Sequence, residues 1–511
     1  MTTNELAALR GPIRTEGGQL VGVESRLPGV TVFKGIRYGA STAGVNRWRP
    51  PQPPAPWEGL RTADSFGDIA PQSHGKSGIA KSEDCLSLNV WTGAASADEH
   101  RPVFVWVHGG RFSFGHGSEP VYDGASLAAK GVVVVTINMR LGVLGYLATP
   151  ELSSESGHAA SGNYGILDAI AALGWVQRNI AAFGGDPGRV TVGGHSSGGA
   201  TTMGLIYSPL AKGLFQQALI ESAAPYPKDP AIATLASSHR DLPQAEQDGA
   251  AFMRQHGATS LEELRALPLD ELLAGSDVDD PSVPGTPPPP LFRPVVDGWV
   301  LAQSYWETLT SGAANPVRVL TGNNRDESGA KPRQEITLTE YVERSRARYG
   351  DLAEEYLALY PAQDDPTAGD ALNSAYREST RLSTWMWASE FAKRAGQPVY
   401  TYYWNHVPPG PDGEARGAFH GSEIPYVFNN LQAENRDYSD TDHEIADRLS
   451  DYVVNFISNG DPNGGELPSW PAVDPATART FEIGDDWRPV ELAAPDRVAF
   501  TKRFFDTQRA W

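Results

Sequence analysis

The stretch Val190–Thr191–Val192–Gly193–Gly194–His195–Ser196–Ser197–Gly198–Gly199 decides how the rest of the chain is read. Its β-branched start reads as the end of a buried strand, and Ala200–Ile206 beyond it is compatible with a helix. Between them, Gly194, Ser196 and Gly198 spell G-x-S-x-G. A serine raised on a sharp strand-to-helix turn needs a backbone that side chains would crowd, and small residues two before and two after it relieve that crowding. The helix that follows aims its first N–H groups at any oxyanion formed beside the serine. Ser196 is therefore the candidate nucleophile.

A serine hydroxyl is a poor nucleophile near neutral pH, so it needs a base, an acid to orient that base, and an oxyanion hole. The hole is expected from an earlier loop. The apolar run Val103–Val107 leads into His108–Gly109–Gly110, where glycines let backbone N–H groups approach a substrate oxygen. The base is one of 11 histidines. Pattern alone leaves His108, His195 and His406 open among them.

Outward from the elbow, apolar runs recur at Leu86–Trp91, Val132–Ile137, Gln217–Glu221, Val317–Thr321 and Val399–Trp404. Runs apolar on both faces of their alternation are strands covered by helices on both sides. Ile166–Phe183 places Leu167, Ile170, Leu173, Val176 and Ile180 near a 3.6-residue spacing, which predicts such a helix. The expectation is an α/β chain with a large, mostly parallel, twisted central sheet flanked by helices. It is read as one domain over 1–511, with peripheral helical insertions around 238–276 and 335–395. The proline-rich Arg49–Pro56 and Pro284–Pro290 read as stiff surface loops.

Composition narrows the function. With 42 basic and 62 acidic residues, the net charge is −20. Such a surface repels phosphate backbones and anionic membranes, so nucleic acid and membrane are not expected as partners. No run approaches the roughly 20 apolar residues of a spanning helix. Cys85 is the only cysteine, which excludes an intramolecular disulfide and a cysteine-based metal cluster. The opening MTTNELAALR lacks a secretory pattern, so a cytoplasmic protein is expected. No heptad or apolar stripe argues for an oligomeric state.

Seven segments then occur in order almost end to end: FKGIRYG (Phe33–Gly39), SEDCLSLNVW (Ser82–Trp91), VWVHGG (Val105–Gly110), GNYGILD (Gly162–Asp168), NIAAFGGDPGRVTVGGHSSGG (Asn179–Gly199), NNRDES (Asn323–Ser328) and AFHGSEIPYVF (Ala418–Phe428). On these segments the chain resembles the type-B carboxylesterases, the cholinesterase-like branch of the α/β-hydrolases, and bacterial para-nitrobenzyl esterase-like members above all. The resemblance implies the α/β-hydrolase fold and a Ser-His-Glu triad that uses no metal and no cofactor. It assigns the nucleophile to Ser196, the acid to Glu327 and the base to His420, with Asp326 as the rival acid. Oxyanion donors fall on Gly110, Arg111 and Ser197; Gly109, His195 and Ser222 stand behind them, Ser222 as a buried second serine. The implied reaction is hydrolysis of small to medium uncharged carboxylic esters through an acyl-enzyme, the substrate being a small molecule. Amide, carbamate or lipid hydrolysis by the same triad stays open. A non-catalytic binding role is disfavoured, because Ser196, Glu327 and His420 are all present.

The chain departs from the family pattern at four places. Arg111 stands where a third glycine is usual, and is expected to narrow or charge the entrance. His195 and Ser197 flank the nucleophile in place of glutamate and alanine, and His195 is expected to titrate near neutral pH. Ala70 occupies the position of Cys85's usual disulfide partner, which leaves the loop Phe66–Gln72 unstapled and more mobile. Ser73–Lys81 has no aromatic residue to hold a quaternary ammonium, which disfavours choline esters.

Overall fold

Valine at positions 103, 105 and 107 and aromatics at 104 and 106 point to opposite faces of one strand, and both sets are completely buried. A computed structural model describes residues 9–74, 78–230, 240–283, 288–327 and 329–511. Among these, the central sheet comprises β1 (Val23–Glu24), β2 (Thr31–Arg37), β3 (Ser87–Thr92), β4 (Arg101–Val107), β5 (Val133–Ile137), β6 (Gly185–His195), β7 (Gln217–Glu221), β8 (Arg318–Asn324), β9 (Val399–Trp404), β10 (Arg479–Ile483) and β11 (Arg488–Glu491). Their spatial order is β11-β10-β9-β8-β7-β6-β4-β5-β3-β2-β1. Pairing is parallel from β10 through to β5. It turns antiparallel at both edges, where β11 pairs β10 and β3, β2 and β1 run on from β5. The expected large α/β sheet is therefore present, with mixed edges that apolar runs alone do not reveal.

The two faces carry separate apolar layers. Val103, Val105, Val107, Val190 and Val192 pack with Ile166, Leu173 and Val176 of α1 (Tyr164–Asn179), with Met203 and Leu205 of α2 (Ser197–Tyr207), and with Trp387 and Phe391 of α3 (Asp365–Ala395). Phe104, Trp106, Leu219, Leu320 and Trp404 pack on the other face with Leu449, Val453 and Phe456 of α4 (Asp440–Asn459). The predicted helix at 166–183 is α1 followed by a 3-10 turn, Ile180–Phe183.

Helices occupy Leu242–Gln255, Leu261–Ala266 and Leu269–Leu273, and further on Leu338–Tyr349 and Ala353–Leu359. In the long α3, Trp387 is fully buried and donates from Nε1 to the Tyr207 hydroxyl of α2 at 2.8 Å. Arg49–Pro56 lies at the surface with every residue at least partly exposed. Gly75–Ser77, Ser238, Pro284–Pro287 and Ser328 fall outside the described residues. Among the described residues, no helix is long and apolar enough to cross a membrane.

One buried ion pair ties the loop after β5 to α1. Arg140 Nη2 and Nε lie 2.6 and 2.8 Å from Asp168 Oδ1 and Oδ2, and the Arg140 amide donates to Oδ2 at 3.0 Å. Removing one partner strands the other charge in the core, a loss that costs about 3–5 kcal/mol. Asp168→Ala is therefore expected to lower the urea midpoint of unfolding by an amount equivalent to that figure; a midpoint unchanged from wild type contradicts it.

Candidate active site

The G-x-S-x-G turn is built as the sequence requires. β6 ends at His195, α2 begins at Ser197, and Ser196 between them has φ 56° and ψ −124°. A Cβ on Gly194 would sit 2.5 Å from the Gly198 carbonyl carbon, and one on Gly198 would collide with the Val107 carbonyl oxygen. Only glycine fits at either place. Hydrogen bonds on both sides hold the strained serine: its amide donates to the Glu221 carbonyl at 3.0 Å, and its carbonyl accepts from the Ala200 amide at 2.8 Å.

Glu327, buried just beyond β8, meets His420 with Oε2 2.5 Å from Nδ1. Its other oxygen accepts from the Ser222 hydroxyl at 2.5 Å and from the Asn324 amide at 2.8 Å. Burial opposes ionisation of Glu327, but His420 and these donors together hold it below the usual carboxylate range. Burial likewise disfavours the His420 cation, yet the Glu327 carboxylate outweighs that effect and the net pKa lies above 6.5. Asp326, the rival acid, is spent elsewhere. Its carboxylate is bound by Arg325, Arg377 and the Ala418 amide, and its backbone bridges to Phe419, so it shapes the loop that carries His420.

The other open histidines have different partners. His108 Nδ1 lies 2.8 Å from the Gly109 carbonyl, and burial depresses its pKa to about 4. His406 sits between Asp442 and Asp485, at 2.8 and 2.6 Å. His195 does approach the site: its ring centroid is 4.3 Å from that of His420, at an interplanar angle of 49°. Burial first, and the neighbouring His420 second, push its pKa well below 6.5. The expectation that His195 titrates near neutrality is thus corrected; its enclosed ring stays neutral there.

The glycine loop after β4 lies against the elbow. A Cβ on Gly109 would be 3.5 Å from the Ser196 Cβ and 2.9 Å from the His195 carbonyl oxygen. Gly110, Arg111 and Phe112 follow with φ of 118°, 54° and 59°. Ser197, the first residue of α2, has an amide with no acceptor inside the helix. The Arg111 guanidinium bonds to another segment, with Nη2 2.6 Å from Asp279 Oδ1 and 2.7 Å from the Pro288 carbonyl. Cys85 is a buried free thiol, and the loop it would have stapled is fastened by Gln72, which accepts from the Gly115 amide at 2.9 Å and donates to its carbonyl at 3.1 Å.

Three residues near Glu327 and His420 escape sequence reasoning. Asn324 donates through its side chain to both the Phe419 carbonyl and Glu423. Burial, helped by the Glu327 charge, raises Glu423 to about 7. Glu221, wholly buried at the end of β7, is raised well above the usual range by burial and then by Glu423. The spacing His420–Gly421–Ser422–Glu423 was the one available signal, and it says nothing of depth. A separate cavity of about 250 Å³ among Trp48, Tyr164, Asp297 and Trp299 includes none of these residues.

The carboxylesterase family model matches residues 11–499. The chain is 36% identical to fumonisin B1 esterase of Sphingopyxis macrogoltabida, covering 89% of this chain and 83% of that protein. It is 34% identical to para-nitrobenzyl esterase of Bacillus subtilis, covering 93% and 95%. A solved carboxylesterase of Geobacillus stearothermophilus superposes with a TM-score of 0.78 at 32% identity, covering 96% of this chain and 99% of that one. The fold is that of the α/β-hydrolases, the activity is carboxylic ester hydrolysis, and the chain belongs to the carboxylesterase family.

Proposed function

We propose that Ser196, His420 and Glu327 perform the hydrolysis as a triad, on small to medium uncharged carboxylic esters. The observation that supports this most is Glu327 held against His420 Nδ1 while Ser222, just past β7, and Asn324, at the end of β8, donate to its second oxygen. In this reading Ser196 Oγ attacks the ester carbonyl and His420 takes its proton. Glu327 keeps the imidazole in one orientation and stabilises the cation that forms. The amides of Gly110, Arg111 and Ser197 receive the developing oxyanion. His420 then protonates the leaving alcohol, and water repeats the steps on the acyl-enzyme. The reading treats 1–511 as one catalytic unit with helical insertions at 238–276 and 335–395. It places the enzyme in the cytoplasm.

Hydrolysis of para-nitrophenyl esters from acetate to octanoate tests the assignment. Ser196→Ala is expected to lower kcat by about 10⁴-fold or more and to abolish the burst of para-nitrophenol. Equal turnover by the two proteins removes Ser196 as nucleophile.

The acidic limb of kcat/KM is expected to report His420, which must be neutral to accept the proton. Because Glu327 raises its pKa, activity should appear as pH rises through a midpoint above 6.5. Glu423 adds to that upward shift. Glu423→Gln is therefore expected to move the limb to lower pH, and a limb moving upward contradicts the sign. His195→Gln should leave the midpoint in place, since the ring it replaces carries no charge in that range.

A further inference from the structure

Arg111 occupies a backbone conformation that L side chains rarely adopt, and Phe112 follows it in the same region. Such a geometry persists only where surrounding contacts over-determine it. On one side those contacts are ordinary loop bonds: the Ser113 and Phe114 amides donate to the Gly110 carbonyl at 2.9 and 3.0 Å, and the Gly142 amide to the Phe112 carbonyl at 2.7 Å. On the other side the contact is made by the Arg111 side chain itself, through Asp279 and the Pro288 carbonyl.

Those two acceptors belong to one narrow arm. The Asp280 amide donates to the Pro289 carbonyl at 2.8 Å and the Leu291 amide to the Val278 carbonyl at 2.9 Å, with Asp279 opposite Pro290 in antiparallel register. Asp280, next to Asp279, is buried and paired at 2.9 Å with the buried Arg293. Asp277, on the other side, accepts from the Ser73 hydroxyl at 2.7 Å. The backbone that carries Asp279 is thus held on both flanks, and its carboxylate, itself 45% exposed, meets Arg111. A guanidinium bonded to a carboxylate and a carbonyl at once is held in direction as well as distance.

We propose that Asp279 is a positioning residue for the oxyanion hole: by clamping the Arg111 side chain it keeps the Arg111 amide aimed at the tetrahedral intermediate. The inference rests on the proposed triad and hole, and extends them to a residue 168 positions away in sequence. Glycine at position 111 would hold the same φ without a clamp. Arginine needs one, which gives Asp279 a role conditional on the residue it grips.

That conditionality is the test. Asp279→Asn, Arg111→Gly and the double variant are assayed on para-nitrophenyl acetate, together with inhibition by an aryl trifluoromethyl ketone, whose adduct mimics the tetrahedral oxyanion. Asp279→Asn is expected to lower kcat by about 3- to 10-fold with KM within twofold, and to weaken the ketone by the same factor. In the Arg111→Gly background, Asp279→Asn is expected to change neither quantity. Equal losses in both backgrounds show that Asp279 merely supports the arm, and they overturn the proposal. So does an Asp279→Asn enzyme with kcat and ketone affinity within twofold of wild type. If Ser196→Ala turns over like wild type, the triad itself is wrong and the clamp falls with it, an outcome distinguishable from a clamp that fails alone.

Discussion

Parallel pairing brings the carboxyl ends of neighbouring strands to one edge of the sheet, and the site depends on that constraint. Val107 of β4 pairs with Gly194 of β6, His195 with Glu221 of β7, and Glu221 with Gly322 of β8. Residues just past these positions are Gly109–Arg111, Ser196, Ser222 and Asn324–Glu327. The register therefore sets the spacing of Ser196, Ser222 with Glu327, and the glycine loop before any side chain is considered. His420 is the exception. It arrives on a loop beyond β9, and the Asp326–Phe419 bridge with the Asp326 carboxylate on the Ala418 amide secures that loop. Asp326, the rival to Glu327 as acid, is thus what positions His420.

Charge inside this edge is arranged unequally. Glu221, Glu327 and Glu423 are all buried near one imidazole pair, and three carboxylates cannot ionise together there at modest cost. Glu327 receives the hydrogen bonds and the histidine, so it keeps its charge. Glu221 has neither oxygen hydrogen-bonded among the described residues, and burial raises its pKa well above the usual carboxylate range. The same inequality divides the histidines. His420 faces a carboxylate and is pushed up; His195, buried beside His420, is pushed down. Environment, and not residue type, separates the acid–base partners from their neighbours.

Much of this was legible in the chain. Strands apolar on both faces announced a covered sheet, and the glycines around Ser196 announced a turn that the Cβ collisions at Gly194 and Gly198 now explain. What stayed hidden was long-range. Nothing local separates Glu221 from any other strand-end glutamate, and its pKa is raised by burial and then by Glu423, 202 positions later by residue number. The direction of β3 was equally silent, because the alternation of a strand is the same whichever way its partner runs. His195 differs from its sequence expectation for a related reason: the ordinary pKa belongs to an isolated side chain, whereas burial first, and the neighbouring His420 second, push this one well below it.

Two of the departures from the family pattern fall among the backbone groups proposed to hold the oxyanion. The proposed oxyanion donors are amides, so replacing glycine by Arg111, or alanine by Ser197, removes no donor. Side-chain identity at such positions is free only as far as the backbone angle can be kept. Ser197 sits in a helix and meets that condition without help. Arg111 sits at φ 54° and does not. A substitution that leaves the reacting groups intact can therefore still create a dependence on a distant residue. Here that dependence runs through a guanidinium to Asp279, whose neighbour Asp280 is locked to Arg293 in the interior.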